Sequence, residues 1–108
     1  MTTYIPKITS ASCVFCQKEA VIQNDRAKAF MDIHPMAAGH MLIVPKAHVA
    51  TWFDATSADQ DAMSALLNEA KSYLDARYHP RGYQIFSHVG VVAGQKVAHA
   101  HIHLVPVY

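Results

Sequence analysis

Two spacings of hydrophobic positions divide the chain. Between Ser57 and Tyr78, the residues Met63, Leu66, Leu67, Ala70, Tyr73, Leu74 and Tyr78 recur mostly three or four apart, which gathers them on one face of an α-helix. Ser57-Ala58-Asp59-Gln60 fits a capping box, in which the Ser57 and Gln60 side chains satisfy free N–H groups reciprocally. Pro80 and Gly82 close the helix. Elsewhere, short apolar runs bounded by turn residues predict strands: Ala20 to Gln23, Ala27 to Ile33 beyond the Asn24-Asp25 turn, Met41 to Val44 closed by Pro45, and Tyr83 to Val89. Four consecutive apolar residues, Met41-Leu42-Ile43-Val44, suit a strand buried on both faces. Strands, a long helix, then strands again predict an α+β domain with a mostly antiparallel sheet.

The last apolar segment has a different pattern. In Gly94 to Pro106, His99, His101 and His103 alternate with Ala100, Ile102 and Leu104. In an extended strand this places the imidazoles on one face, neighbours about 6.6 Å apart, and the apolar residues on the other, toward the core. A helix would scatter the histidines around its axis. Imidazole near neutral pH can carry protons, attack as a nucleophile or bind metal. The strict alternation behind Gly94-Gln95 points past a solvated polar row to a metal site or a catalytic row. The connection Gly90 to Gln95, glycine near both ends, lets backbone N–H groups approach an anion closely.

Cys13-Val14-Phe15-Cys16 has three readings. A disulfide does not suit a reducing compartment. A redox pair requires a preceding strand, and nothing upstream reads as one. A zinc site requires two further ligands, which the eight histidines could supply. His40 and His48, taken alone, read as structural histidines.

Composition narrows the function classes. The 108 residues make one domain able to bury its own core. With 52% hydrophobic and 16% charged residues, the chain is of the compact kind. A net charge of +1 gives no reason to expect nucleic acid or an anionic membrane as the main partner. No apolar run approaches the ~20 residues of a membrane span. Residues 1–7 lack the charged start and apolar stretch of a secretory signal, so a cytoplasmic location is expected.

Gly94-Gln95-Lys96-Val97-Ala98-His99-Ala100-His101-Ile102-His103-Leu104-Val105-Pro106, with Gly90 ahead of it, resembles the signature of the histidine triad (HIT) nucleotide hydrolases and transferases. Ala29 to Pro35 and Gly39 to His48 resemble the family's other signature block, so the likeness runs from about residue 13 to 106. It implies a five-stranded, mostly antiparallel sheet with one long helix and a short one, commonly paired as a homodimer. It also implies attack on the α-phosphate of an adenosine nucleotide conjugate, a dinucleoside polyphosphate or a phosphoramidate. By motif position His101 is the nucleophile, oriented by the carbonyl of His99, with His103 and His40 flanking the phosphate. Gln95 and the backbone of Gly94, Lys96 and Val97 hold phosphate oxygens. Asp32 grips the ribose, and Ile33 and Phe30 wall the purine.

Bacterial-type members with Cys-x-x-Cys hold one structural zinc per chain. By position its ligands here are Cys13, Cys16, His48 and His99. The chain also departs from the family pattern. The segment between Cys16 and Ala20 is short, His88 replaces a usual Asn, and Lys96 stands where Ser or Thr is frequent near the leaving group. A zinc-stabilised nucleotide-binding module with little turnover, acting through protein partners, is the alternative.

Overall fold

The helical stripe and the strand runs meet as two layers. The computed structural model describes residues 12–108; residues 1–7, read above for a targeting signal, lie outside the described residues. In chain order the elements are α1 (Val14–Gln17), β1 (Ile22–Gln23), β2 (Ala27–Met31), β3 (Met41–Pro45), a 3-10 turn (Trp52–Asp54), α2 (Ser57–Tyr78), β4 (Gly82–Phe86), a 3-10 turn (Val91–Ala93) and β5 (Ile102–Val107). The sheet order is β1-β2-β3-β5-β4, and every neighbouring pair is antiparallel. This is the five-stranded α+β arrangement that the resemblance implies.

The two faces of the sheet have different tasks. Ala27 and Ala29 of β2, Met41 and Ile43 of β3, and Ile102 and Leu104 of β5 form one core with Met63, Leu66, Ala70 and Leu74 of α2. The small alanines let the helix approach closely, and each large aliphatic side chain buried there contributes roughly 1.5–3 kcal/mol. Phe30, Leu42 and Val44, the alternate residues of β2 and β3, cluster with Phe15 instead. Thus β3 is buried along its whole length, as its unbroken apolar run predicts. The turn before β2 is tied to α2: Asn24 Oδ1 accepts the N–H groups of Arg26 and Ala27, its Nδ2 donates to the Ala62 carbonyl, and Arg26 pairs with Asp59 at 2.9 Å.

Several boundaries differ from the sequence reading. The cap of α2 lies one residue earlier, at Thr56, whose hydroxyl accepts the Asp59 N–H; Gln60 reaches back to the Trp52 carbonyl, so no Ser57–Gln60 box forms. The buried stripe is narrower than its apolar spacing, because Leu67 and Tyr73 are partly covered and Tyr78 is exposed. The helix ends at His79, which takes the left-handed conformation itself (φ 52°). β4 stops at Phe86 rather than Val89, and β2 at Met31 rather than Ile33.

β5 begins at Ile102, so His99 and His101 precede the ladder. The cause is Pro45. Continuing the pairing Met41 with Leu104 and Ile43 with Ile102 would bring Pro45 opposite Ala100, and proline has no N–H to donate. Ala100 N–H instead donates to the Val49 carbonyl at 2.8 Å.

Gly39, immediately before His40, has φ +86°, and a Cβ there would meet Tyr78 Cδ2 at 3.1 Å, Pro106 Cγ at 3.2 Å and Leu74 Cδ2 at 3.3 Å. Gly39→Ala is expected to destabilise the fold by about 2 kcal/mol, combining left-handed strain with the close contacts. Gly82→Ala, with nothing within 4 Å, is expected to be neutral or slightly stabilising. Urea midpoints of the two variants against wild type check the contrast.

Candidate active site

Four histidines arrive on the sheet face opposite α2 by two routes. His40 stands at the entry to β3, and His103 lies on β5 opposite Leu42. His99 and His101 come from the segment that Pro45 excludes from the ladder. His101 Nδ1–H donates to the His99 carbonyl at 2.7 Å, which leaves Nε2 with its lone pair. The carbonyl of His101 is itself held by the Ser87 hydroxyl at 2.6 Å.

A second chain of hydrogen bonds orients the other two rings. Met36 N–H donates to His40 Nδ1 at 3.0 Å, so His40 carries its proton on Nε2 and donates to His103 Nδ1 at 2.9 Å. His103 is left with Nε2–H as its donor. Its ring stacks on Phe86 with centroids 4.6 Å apart and lies 5.0 Å from that of His101. Asp32 Oδ2 lies 3.5 Å from His40 Nε2, while Asp32 Oδ1 accepts the His34 N–H.

Burial keeps these rings neutral. It lowers the pKa of His40 against the opposing pull of Asp32, and lowers that of His101 against the hydrogen bond to His99. His103 is pushed down to about 4, by burial first and then by His101 and His40. A neutral imidazole keeps the lone pair that a nucleophile needs.

His40, His101 and His103 open onto a cavity of about 540 Å³. Phe30, Asp32, Ile33, His88, Gly94, Lys96 and Val97, all singled out from the sequence, also line it. Two expectations come out differently. His99 is fully buried away from the cavity, so two imidazoles of the alternating row face it rather than three. Gln95 is buried, and its side chain is spent on backbone: it accepts the Gly90 N–H and donates to the carbonyls of Ala50 and Val97.

The 90–97 connection is likewise closed on itself. The N–H groups of Gly90, Ala93, Gly94 and Gln95 are all bonded within it, which leaves the Lys96 and Val97 segment against the cavity. Gly94 has φ +100°, and its missing Cβ leaves room for the His88 ring, whose Nδ1 would lie 3.3 Å from one. The sequence reading missed Val14, Phe15, Leu42 and Phe86 as cavity residues. Phe15 could have been suspected from its place between the two cysteines, and Phe86 from its place two residues before His88.

His99 belongs to a second cluster. Its Nε2–H donates to the Pro45 carbonyl at 2.8 Å, so the Nδ1 lone pair points the other way. There Cys13 Sγ and Cys16 Sγ each lie 3.4 Å from His99 Nδ1, His48 Nδ1 lies 3.3 Å from it, and Cys16 Sγ lies 3.1 Å from His48 Nδ1. The four donor atoms fall within 4.8 Å of one another and can hold a metal ion. No disulfide joins the two cysteines.

The depressed His103 pKa has a stability consequence. The unfolded chain binds a proton near the ordinary value of 6.5, whereas the folded chain does so only near 4. This contribution is therefore complete above pH 6.5 and is lost as pH falls toward 4. His103→Asn is expected to lose less stability than wild type between pH 7 and pH 5, since contributions from His40, His101 and the cysteine cluster are common to both proteins. Urea denaturation at the two pH values checks the difference.

The comparisons agree with this geometry. The HIT domain family model matches residues 16–108. An uncharacterised HIT-like protein of Mycoplasma genitalium is 34% identical over 94% of this chain and 77% of its own length. The adenosine 5'-monophosphoramidase of Saccharomyces cerevisiae is 34% identical over 94% of this chain and 66% of its own length. A crystal structure of a HIT family protein from Bacillus anthracis superposes with a TM-score of 0.84 at 30% identity, covering 93% of this chain and 76% of the other. No described helix is long and apolar enough to cross a membrane. With the family model spanning nearly the whole chain and the histidine cavity on the expected sheet face, the protein belongs to the HIT family.

Proposed function

We propose that this protein transfers the nucleotidyl group of an adenosine nucleotide conjugate to His101 and then to water. The observation that carries the reading is the 2.7 Å bond from His101 Nδ1–H to the His99 carbonyl, which leaves a bare Nε2 beside a cavity large enough for a nucleotide. His101 Nε2 attacks the α-phosphorus, forming a P–N bond as the bond to the leaving amine or phosphate breaks with its electron pair. Water then attacks the same phosphorus, a P–O bond forms as the P–N bond breaks, the electron pair returns to Nε2, and the proton that water gives up balances the one the leaving group takes on. His103 donates its Nε2–H to a phosphate oxygen, where negative charge grows in the transition state.

The rest of the cavity suits such a substrate. Phe15, Phe30 and Ile33 offer apolar surface to a purine, and Asp32 offers a carboxylate acceptor to ribose hydroxyls. The name of the yeast relative, an adenosine 5'-monophosphoramidase, supports a phosphoramidate as one substrate.

For the cysteine cluster we propose a structural zinc ion held by Cys13, Cys16, His48 and His99. A tetrahedral site with bonds of ~2.0–2.1 Å to nitrogen and ~2.3 Å to sulfur separates its ligands by about 3.4 Å (N to N) and about 3.6 Å (S to N). The 3.3 Å between the two imidazoles matches the first edge, and the 3.1–3.4 Å between sulfur and nitrogen is slightly shorter than the second. The bond from His99 to the Pro45 carbonyl is the outer contact that orients such a ligand. Zinc held there supplies a cross-link between α1, the segment after β3 and the segment before β5. Four protein donors would complete a structural site for such an ion.

His101→Ala is expected to lower kcat on an adenosine phosphoramidate by ~10³-fold or more while AMP still binds, because a covalent path is removed rather than a binding contact. Rapid quenching of wild type should trap the nucleotide on His101. An adduct on another residue, or unchanged turnover in the variant, refutes the role. Protein purified without chelator is expected to carry one zinc per chain by elemental analysis, and Cys13→Ala to lose both zinc and thermal stability. Metal-free wild type with two reactive thiols refutes the zinc assignment.

A further inference from the structure

Lys28 is a buried cation that the proposed chemistry leaves unused. It lies in β2 between Ala27 and Ala29, is 9% exposed, and belongs to the same sheet face as Phe30. A lysine at that depth needs partners for its ammonium group. Among the described residues no carboxylate pairs with it: Nζ donates to the Lys18 carbonyl at 2.7 Å and the Cys16 carbonyl at 3.1 Å.

Both carbonyls lie at the C-terminal end of α1, where unbonded C=O groups and the negative end of the helix dipole collect. α1 has only four residues, and its last turn contains no basic residue of its own. The cation therefore comes from the sheet, and it ties the end of α1 to β2.

The turn that Lys28 holds takes part in two sites. Cys13 and Cys16 face His48 and His99, whereas Val14 and Phe15 between them line the cavity. The Phe15 ring lies 5.0 Å from that of His101 and 5.4 Å from that of Phe30. A shift of this turn moves both a sulfur ligand and a cavity wall.

We propose that Lys28 is a positioning residue for both sites. Its ammonium holds the Cys13 to Lys18 turn where Cys16 Sγ meets the two imidazoles and Phe15 stands against His101, and this couples metal affinity to nucleotide affinity. The coupling is reciprocal: AMP in the cavity tightens the metal, and the metal tightens AMP. Both halves rest on the proposed function, the nucleotide half on its substrate and the metal half on the zinc assigned to the cysteine cluster.

The test compares Lys28→Met and Lys28→Arg with Lys46→Met, an exposed lysine nearby. Zinc affinity is measured by chelator competition, with cobalt(II) absorption as the signature of the ligand field. Lys28→Met is expected to weaken zinc binding ~10-fold or more, the usual effect of losing an outer-shell partner. It is also expected to raise KM for an adenosine phosphoramidate with kcat little changed. Lys28→Arg, which keeps donors and charge, should restore most of both, and Lys46→Met should alter neither. Zinc affinity unchanged in folded Lys28→Met, or an equal loss in Lys46→Met, overturns the proposal. If Lys28→Met does not fold, Lys28→Gln, with a shorter donor, serves in the same comparison. Absence of turnover in wild type would refute the nucleotide reading alone, because the zinc arm needs no substrate.

Discussion

A missing hydrogen-bond donor governs the layout of this protein. Pro45 ends β3 without an N–H, so the segment before β5 cannot extend its pairing there. The Pro45 carbonyl still needs a partner, since a buried unsatisfied carbonyl costs about 1–3 kcal/mol. His99 supplies it through Nε2–H, and that choice of tautomer turns the Nδ1 lone pair toward the two cysteines. Released from the sheet, the His99 carbonyl accepts a hydrogen bond from His101 Nδ1–H, which aims the His101 lone pair away from the backbone. One proline thus sets the proton positions of two rings: the His99 side chain joins Cys13, Cys16 and His48, while the His99 carbonyl orients His101 at the cavity.

The remaining architecture keeps that arrangement rigid. One face of the sheet is apolar and closed by α2, while the other buries Lys28 and, at the cavity, His40 and His101. Among the described residues no buried side-chain nitrogen or oxygen lacks a partner. A network satisfied to that degree holds one geometry, because any shift strands a group in low dielectric. Gln95 shows the effect. It joins Gly90, Val97 and Ala50, linking the connection beside the cavity to the segment that follows His48. The Cys13 to Lys18 turn closes this face, pinned by its cysteines at one side and by Lys28 at the other.

The sequence was most informative where a periodic pattern met one dominant force. The span of α2, the doubly buried β3 and the antiparallel order all follow from apolar spacing, because burial of those residues drives the elements together. The histidine alternation was legible for the same reason: Ile102 and Leu104 must enter the core, so His101 and His103 must face away from it. The HIT likeness was equally legible, since its motif is a run of contiguous residues.

What the sequence could not show depends on pairs distant along the chain. The cap at Thr56 rather than Ser57 reflects Gln60 finding the Trp52 carbonyl. His99 leaves the row of its two neighbours because Pro45, 54 residues earlier, holds its ring. Gln95 looks like a ligand contact in the motif, but backbone groups of its own connection and of Ala50 claim its amide. Lys28 interrupts an apolar strand, yet the sheet buries it and two carbonyls at the end of α1 accept its N–H groups. By itself the sequence determined which side chains enter the core and which chemistry the chain carries, because those follow from local spacing. Only the tertiary structure decided where each proton and lone pair points, because hydrogen-bond partners are chosen by what folding brings within 3 Å.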